Sequence, residues 1–270
     1  MRSFRSIALL LPLACLTLRA APASAEANAA FDRYVKLAEE EMNQHQGQGD
    51  FLWVDRHPDK RTQVWLGQPI IQPMETLDHG QEIEAPGAEI QHWFAAVYLD
   101  DVAIDKVRDI ALNFAVYKDA FKDELIDSKL IKRDGNRFDF QMRLFRKKFG
   151  KVLINVDATA QYTLLDPARI RLDCRSTHVG EVLHPKDKKS WDKERPADDE
   201  EGYLSRLNLY WRLEQADNGV YVEVELISLG REAGGALNPT HVLRASFETY
   251  PKALTQEIIE ALLVIFPHRR

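Results

Sequence analysis

Three groups of side chains in this sequence have types and spacing that could do chemistry. Ser176 and His178 close a segment in which Ile170, Leu172 and Cys174 alternate with Arg171, Asp173 and Arg175, so on a strand they continue the apolar side. There they could hydrogen-bond the polar head of an apolar ligand, or His178 could serve as a general base. A strand end whose polar side chains meet water has the same pattern. His92 alternates with Ile90, Phe94 and Ala96 and is expected to face the same space, or to be a hydrogen-bonded core or edge histidine beside Trp93. Arg212, Glu223 and Glu225 fall out of phase with their apolar neighbours. That places them on the opposite, wet face as a ladder of ion pairs, contributing about 0–1 kcal/mol each. Were the faces reversed, they would line the pocket and favour an enzyme.

No nucleophile, base and orienter signature accompanies these residues. Gly-x-Ser-x-Gly, His-Glu-x-x-His and a phosphate-cradling glycine loop are all absent from the sequence. Nor is there a paired Cys and His metal motif. No catalytic residue, metal or cofactor is therefore assigned.

The elements that must position the candidates are strands of period two and one long helix. After the turn Asp134-Gly135-Asn136, Phe138, Phe140, Met142 and Leu144 alternate with charged or polar residues. Ile154, Val156 and Ala158 do the same, as do Leu209, Trp211 and Leu213, and then Val222, Val224 and Leu226 beyond the turn Asp217-Asn218-Gly219. Together they describe an antiparallel sheet with one oily and one wet face. From Pro251 to Phe266, Leu254, Ile258, Ala261, Leu262 and Ile265 recur at helical spacing and need a surface to lie on. The expected fold class is α+β, a curved antiparallel sheet wrapped around that C-terminal helix. A hollow of about 300–1,000 Å³ would remain between them. Its candidate lining is Phe138, Phe140, Met142, Ile154, Val156, Leu209, Trp211, Val222, Val224, Leu254 and Ile258, with Ser176, His178 and His92 supplying polar contacts.

The chain divides into three parts by composition. Arg2 and Arg5 precede the apolar run Ile7 to Leu18, and Ala23-Ser24-Ala25 offers a small-residue cleavage site, so 1–25 reads as an export leader directing the protein to the periplasm or beyond. A lipidated Cys15 is the rival, poorly matched because Pro12 stands three residues before it. Residues 26–87 read as an N-terminal extension: a helix with Phe31, Tyr34, Val35, Ala38 and Met42 on one side, then short strand-like pieces at Phe51 to Val54, Thr62 to Leu66 and Ile70 to Gln72. Residues 88–270 form the main domain. Within it, His184 to Glu201 is a charged, solvated loop anchored by Trp191. Glu232 to Glu248, with Gly234-Gly235, is either a flap or a plain linker.

Charge and cysteine usage exclude other classes. The leader carries Arg2, Arg5 and Arg19 and no acid, so its loss leaves a chain more acidic than the whole, whose net charge is −6. An acidic surface argues against nucleic acid and against anionic membrane as main partners, leaving any membrane contact transient. Cys174 alone survives cleavage, so the exported protein has no internal disulfide and relies on packing.

The order of strand Ile90 to Leu99, helical pair Asp101 to Phe121, hairpin-linked strands ending in the phrase Gly219-Val220-Tyr221-Val222-Glu223-Val224-Glu225-Leu226-Ile227-Ser228-Leu229, and closing helix Pro251 to Phe266 resembles the START-like superfamily. That group is also called SRPBCC, helix-grip or polyketide cyclase. The match spans about Ala88 to Phe266 and carries no catalytic motif. It implies a cavity for a lipid, quinone or polyketide-like molecule in a carrier or binding protein. A cyclase or hydrolase-like enzyme in the same cavity, and a structural protein with a filled core, are the alternatives.

Overall fold

The computed structural model describes residues 23–45, 49–121, 125–146, 152–196, 199–200, 203–231 and 250–267. The leader assigned to 1–25 lies almost wholly outside them, as does the flap or linker assigned to Glu232 to Glu248. Alternating apolar residues draw eight strands into one antiparallel sheet. They are β1 (Ile70–Pro73), β2 (Ala88–Asp100), β3 (Leu125–Asp134), β4 (Arg137–Arg146), β5 (Val152–Asp166), β6 (Arg169–Glu181), β7 (Arg206–Ala216) and β8 (Gly219–Arg231). Their order across the sheet is β1-β2-β8-β7-β6-β5-β4-β3. The expected hairpin turns are present: Gly135 at φ 56° and Asp217 at φ 54° take the left-handed conformation that tight connections demand.

The helices are α1 (Ala25–Gln44), α2 (Pro58–Trp65), α3 (Ile104–Ala111), α4 (Tyr117–Ala120) and α5 (Tyr250–Ile265). On the inner face, Leu254, Ile258, Ile259 and Leu262 of α5 join one core with Val97, Trp211, Val222, Val224 and Leu226 from the sheet. Val107 and Ala111 of α3 and Tyr117 of α4 belong to the same core. The expected α+β architecture, a curved antiparallel sheet with a long C-terminal helix on one face, is what the chain adopts.

The second face differs from expectation. Over β2, β7 and β8 it is not wet, because the N-terminal segment lies on it. Phe31, Tyr34, Val35 and Ala38 of α1 pack with Tyr210, Ile227 and Leu229, and Phe51, Leu52, Val54 and Val64 pack with Phe94, Ala96, Tyr98 and Tyr221. The ladder Arg212, Glu223 and Glu225 is consequently buried, at 4, 2 and 8 % exposure. The outer face stays open over β3 to β5, where Asp127, Gln141, Arg143, Asn155 and Asp157 line a polar cleft of about 420 Å³.

Local structure inside the N-terminal segment also departs from the expected strands. Trp53–Arg56 forms one tight helical turn and Thr62 to Leu66 falls largely in α2, which Pro58 starts at its first position, where a missing N–H costs nothing. Ile70 to Gln72 is extended as expected, and β1 pairs with β2, Ile70 opposite Ala96. The segment therefore supplies an edge strand of the main sheet. The charged loop after His184 is held more firmly than by Trp191 alone. Asn155 donates to Glu194 Oε1 at 2.9 Å, and Arg143 to Asp192 at 2.8 Å.

Candidate functional site

Between the sheet and α5 lies a small void. Phe140, Met142, Val156 and Ala158 come to it from β4 and β5, and Cys174, Leu207 and Leu209 from β6 and β7. Tyr117, Phe121, Leu125, Leu254 and Ile258 complete the wall, and no charged side chain is among them. Its volume is about 20 Å³, far below the hollow expected and room for about one water. The reason is aromatic filling: Phe114 stacks on Phe140 with centroids 4.1 Å apart, and Tyr117 meets Phe121 edge-on at 5.1 Å. The Tyr117 hydroxyl donates to the Ala111 carbonyl, which fixes the ring. Burial pushes the Cys174 thiol well up, so it is a neutral packing group and no nucleophile.

The expected lining residues divide. Phe140, Met142, Val156, Leu209, Leu254 and Ile258 border the void, while Phe138, Ile154, Trp211, Val222 and Val224 lie in the same core without bordering it. Tyr117, Phe121, Leu125, Cys174 and Leu207 also border it and are not among the expected lining residues. Leu207 shares the alternation that marks Leu209 and Trp211, whereas the short α4 gives no signal of which way Tyr117 points.

The three polar candidates are elsewhere. Ser176 Oγ accepts the Leu207 N–H at 2.9 Å and extends the pairing of β6 with β7. His178 is half exposed on the outer side, where its Nε2 meets Glu194 Oε2 at 2.7 Å. The pairing of β5 with β6 explains why: Asp157 faces His178 but Ala158 faces Ser176, so Thr177 is an extra residue on β6. This bulge reverses the phase, sending His178 out and Val179 in. His92 is buried on the outer face, since Ala95, Val97 and Leu99 are the residues of β2 that point inward.

His92 instead belongs to a polar cluster beneath the N-terminal segment. Its Nε2 is 2.8 Å from Glu225 Oε2 and its Nδ1 is 3.2 Å from the Tyr34 hydroxyl. That hydroxyl also accepts the Thr76 N–H at 2.9 Å, so Tyr34 links the Thr76 backbone to the imidazole. Glu223 accepts the N–H groups of Trp53 and Val54, and Glu39 of α1 accepts from Tyr210 at 2.7 Å and Arg175 Nε at 2.8 Å. Burial pushes the Glu223 carboxyl up to about 8, the two backbone donors offsetting part of the rise. Burial likewise lowers Arg212 and raises Tyr210. Each of these outward residues looked solvated because its partner lies far away in sequence. The only sign was aromatic: Tyr210 and Tyr221 occupy outward positions among the charges.

No family model matches the chain and no curated protein does. Among solved structures it is similar to a STAR-related lipid transfer protein from Xanthomonas axonopodis, at 13 % identity and a TM-score of 0.45, over 73 % of this chain and 99 % of that one. The Zhui aromatase/cyclase from Streptomyces sp. R1128 aligns at 16 % identity and 0.45, over 66 % and 93 %. Human STARD10 aligns at 13 % and 0.41, over 76 % and 78 %. Likeness at this level concerns the fold alone, and the reading of the site rests on its own geometry.

Proposed function

We propose that this START-like chain is an exported protein that binds or carries a hydrophobic small molecule, of lipid, quinone or polyketide-like class, between its sheet and α5. The observation that carries the reading is the convergence of five strands, α4 and α5 on one point without a charged group. At about 20 Å³ the void is in a closed state, so loading requires its walls to part. Burial of apolar ligand surface, at roughly 25 cal/mol per Å², supplies the affinity against the cost of that opening.

The test is titration of the lipid-stripped protein with a fluorescent fatty-acid analogue, beside Ala158→Leu, which fills the void from β5. Saturable uptake by the wild type that is lost in a variant retaining its sheet signature supports the site. Equal uptake by both removes it. A second reading, a scaffold with a filled core, is favoured by the same small volume, and absence of saturable uptake by folded wild type would establish it. The general-base route through His178 has no support, because that side chain lies on the outer surface beside Glu194.

A further inference from the structure

Covering the sheet with the N-terminal segment leaves a second cavity, of about 60 Å³, on the outer face. Ala38 and Met42 of α1 border it, with Trp53, Thr76 and, from the sheet, Arg212 and Glu225. Arg212 is 4 % exposed, and its Nη1 is buried without a hydrogen-bond partner among the described residues. A buried, unpaired donor on a charged group is costly and calls for an explanation. The carboxylates beside it do not provide one. Glu223, opposite Arg212 in register, gives both oxygens to Trp53 and Val54, and Glu225 gives Oε2 to His92.

The chemistry around Arg212 selects what could pair with it. Glu41, Glu75 and Glu225 face the cavity against Arg56 and Arg212, three carboxylates to two guanidiniums, while Glu223 holds its proton below about pH 8, so a free anion meets net repulsion. Phe51, Trp53 and Met74 give the remaining wall an apolar character that a hydrated cation does not tolerate. An uncharged group with a carbonyl acceptor and N–H donors satisfies both sides, and a planar one can stack on Phe51, over whose ring the guanidinium carbon itself sits 5.5 Å from the centroid.

We propose that this outer cavity is a second binding site, separate from the apolar void, for a small uncharged molecule of the amide class, its carbonyl on the Arg212 guanidinium and its N–H groups toward the Glu225 carboxylate. The size admits a molecule such as acetamide.

The experiment is a titration of the whole folded protein with acetamide, followed by backbone amide NMR shifts, with acetate at matched ionic strength for comparison. Arg212→Lys keeps the charge and removes the fork, and Ala38→Leu fills the cavity from α1 without touching Arg212. Saturable shifts centred on Trp53 and Thr76 are expected, with affinity reduced about tenfold in folded Arg212→Lys, the loss of one charged hydrogen bond, and saturation lost in folded Ala38→Leu, whose cavity is filled. No saturable shift in the wild type, a response to acetate alone, or undiminished binding in both folded variants would overturn the proposal. The filling variant keeps the test decisive where Arg212→Lys fails to fold.

Discussion

Glu223 of β8 accepts the backbone N–H of Trp53 at 2.8 Å across 170 positions of sequence, and its other oxygen accepts that of Val54 at 2.9 Å. One carboxyl group thus ties the N-terminal segment to the centre of the sheet. Its burial sets a pH dependence. The folded-state value is pushed up to about 8 from an ordinary 4.5, so between those limits the native state holds a proton that the unfolded chain has released. Stability from this group is fully present below about pH 4.5 and is lost as pH rises through about 8. Asp173 and Glu214, also raised by burial, act in the same direction. The melting temperature is expected to fall across that window, and to fall less steeply in Glu223→Gln. Thermal unfolding at several pH values checks this, and parallel curves for the two proteins would contradict it.

Tyr34→Phe removes the hydroxyl that links Thr76 to His92 and leaves a backbone N–H and an imidazole nitrogen buried without partners. The expected cost is about 1–3 kcal/mol, measured by urea unfolding. Limited proteolysis is expected to cut first within 49–87 in this variant. Unchanged stability would mean that the cluster does not hold the segment.

His178→Ala is expected to change almost nothing. The ion pair with Glu194 is half exposed, and such pairs contribute about 0–1 kcal/mol. Uptake of an apolar probe is expected to equal that of the wild type, and a loss of uptake would return His178 to the binding site.

Cys174 borders the void and carries a thiol pushed far up by burial, so iodoacetamide is expected to label it only on unfolding. Labelling of the native protein at a rate far above that of global unfolding would reveal an opening of the void that the closed structure hides. Under the carrier reading, that rate falls when the void is occupied.

Much of the fold was legible because alternation is a local property. Val222 and Val224 point inward and Glu223 and Glu225 outward, as their phase requires, and Leu254 and Ile258 meet the sheet as helical spacing requires. What the phase does not specify is the medium on the far side. Arg212 and Glu225 looked like surface residues because their environment is made by residues far away in sequence: Phe51 beneath the guanidinium, and His92 and Tyr34 against the carboxylate. His178 failed for a different reason. One inserted residue, Thr177, reversed the alternation at the end of β6, and nothing in the local pattern marks it. The size of the void was also beyond sequence, since it depends on how Phe114 stacks on Phe140 and on which way Tyr117 points.

The claim that a hydrophobic molecule is held between the sheet and α5 is tested most directly by native mass spectrometry of the protein purified from its own source, beside Ala158→Leu prepared in the same way. The account predicts a bound mass of a few hundred daltons that is released on denaturation and is absent from the folded variant. Bare protein in both samples, with no uptake of added fatty acid by the wild type, would contradict it.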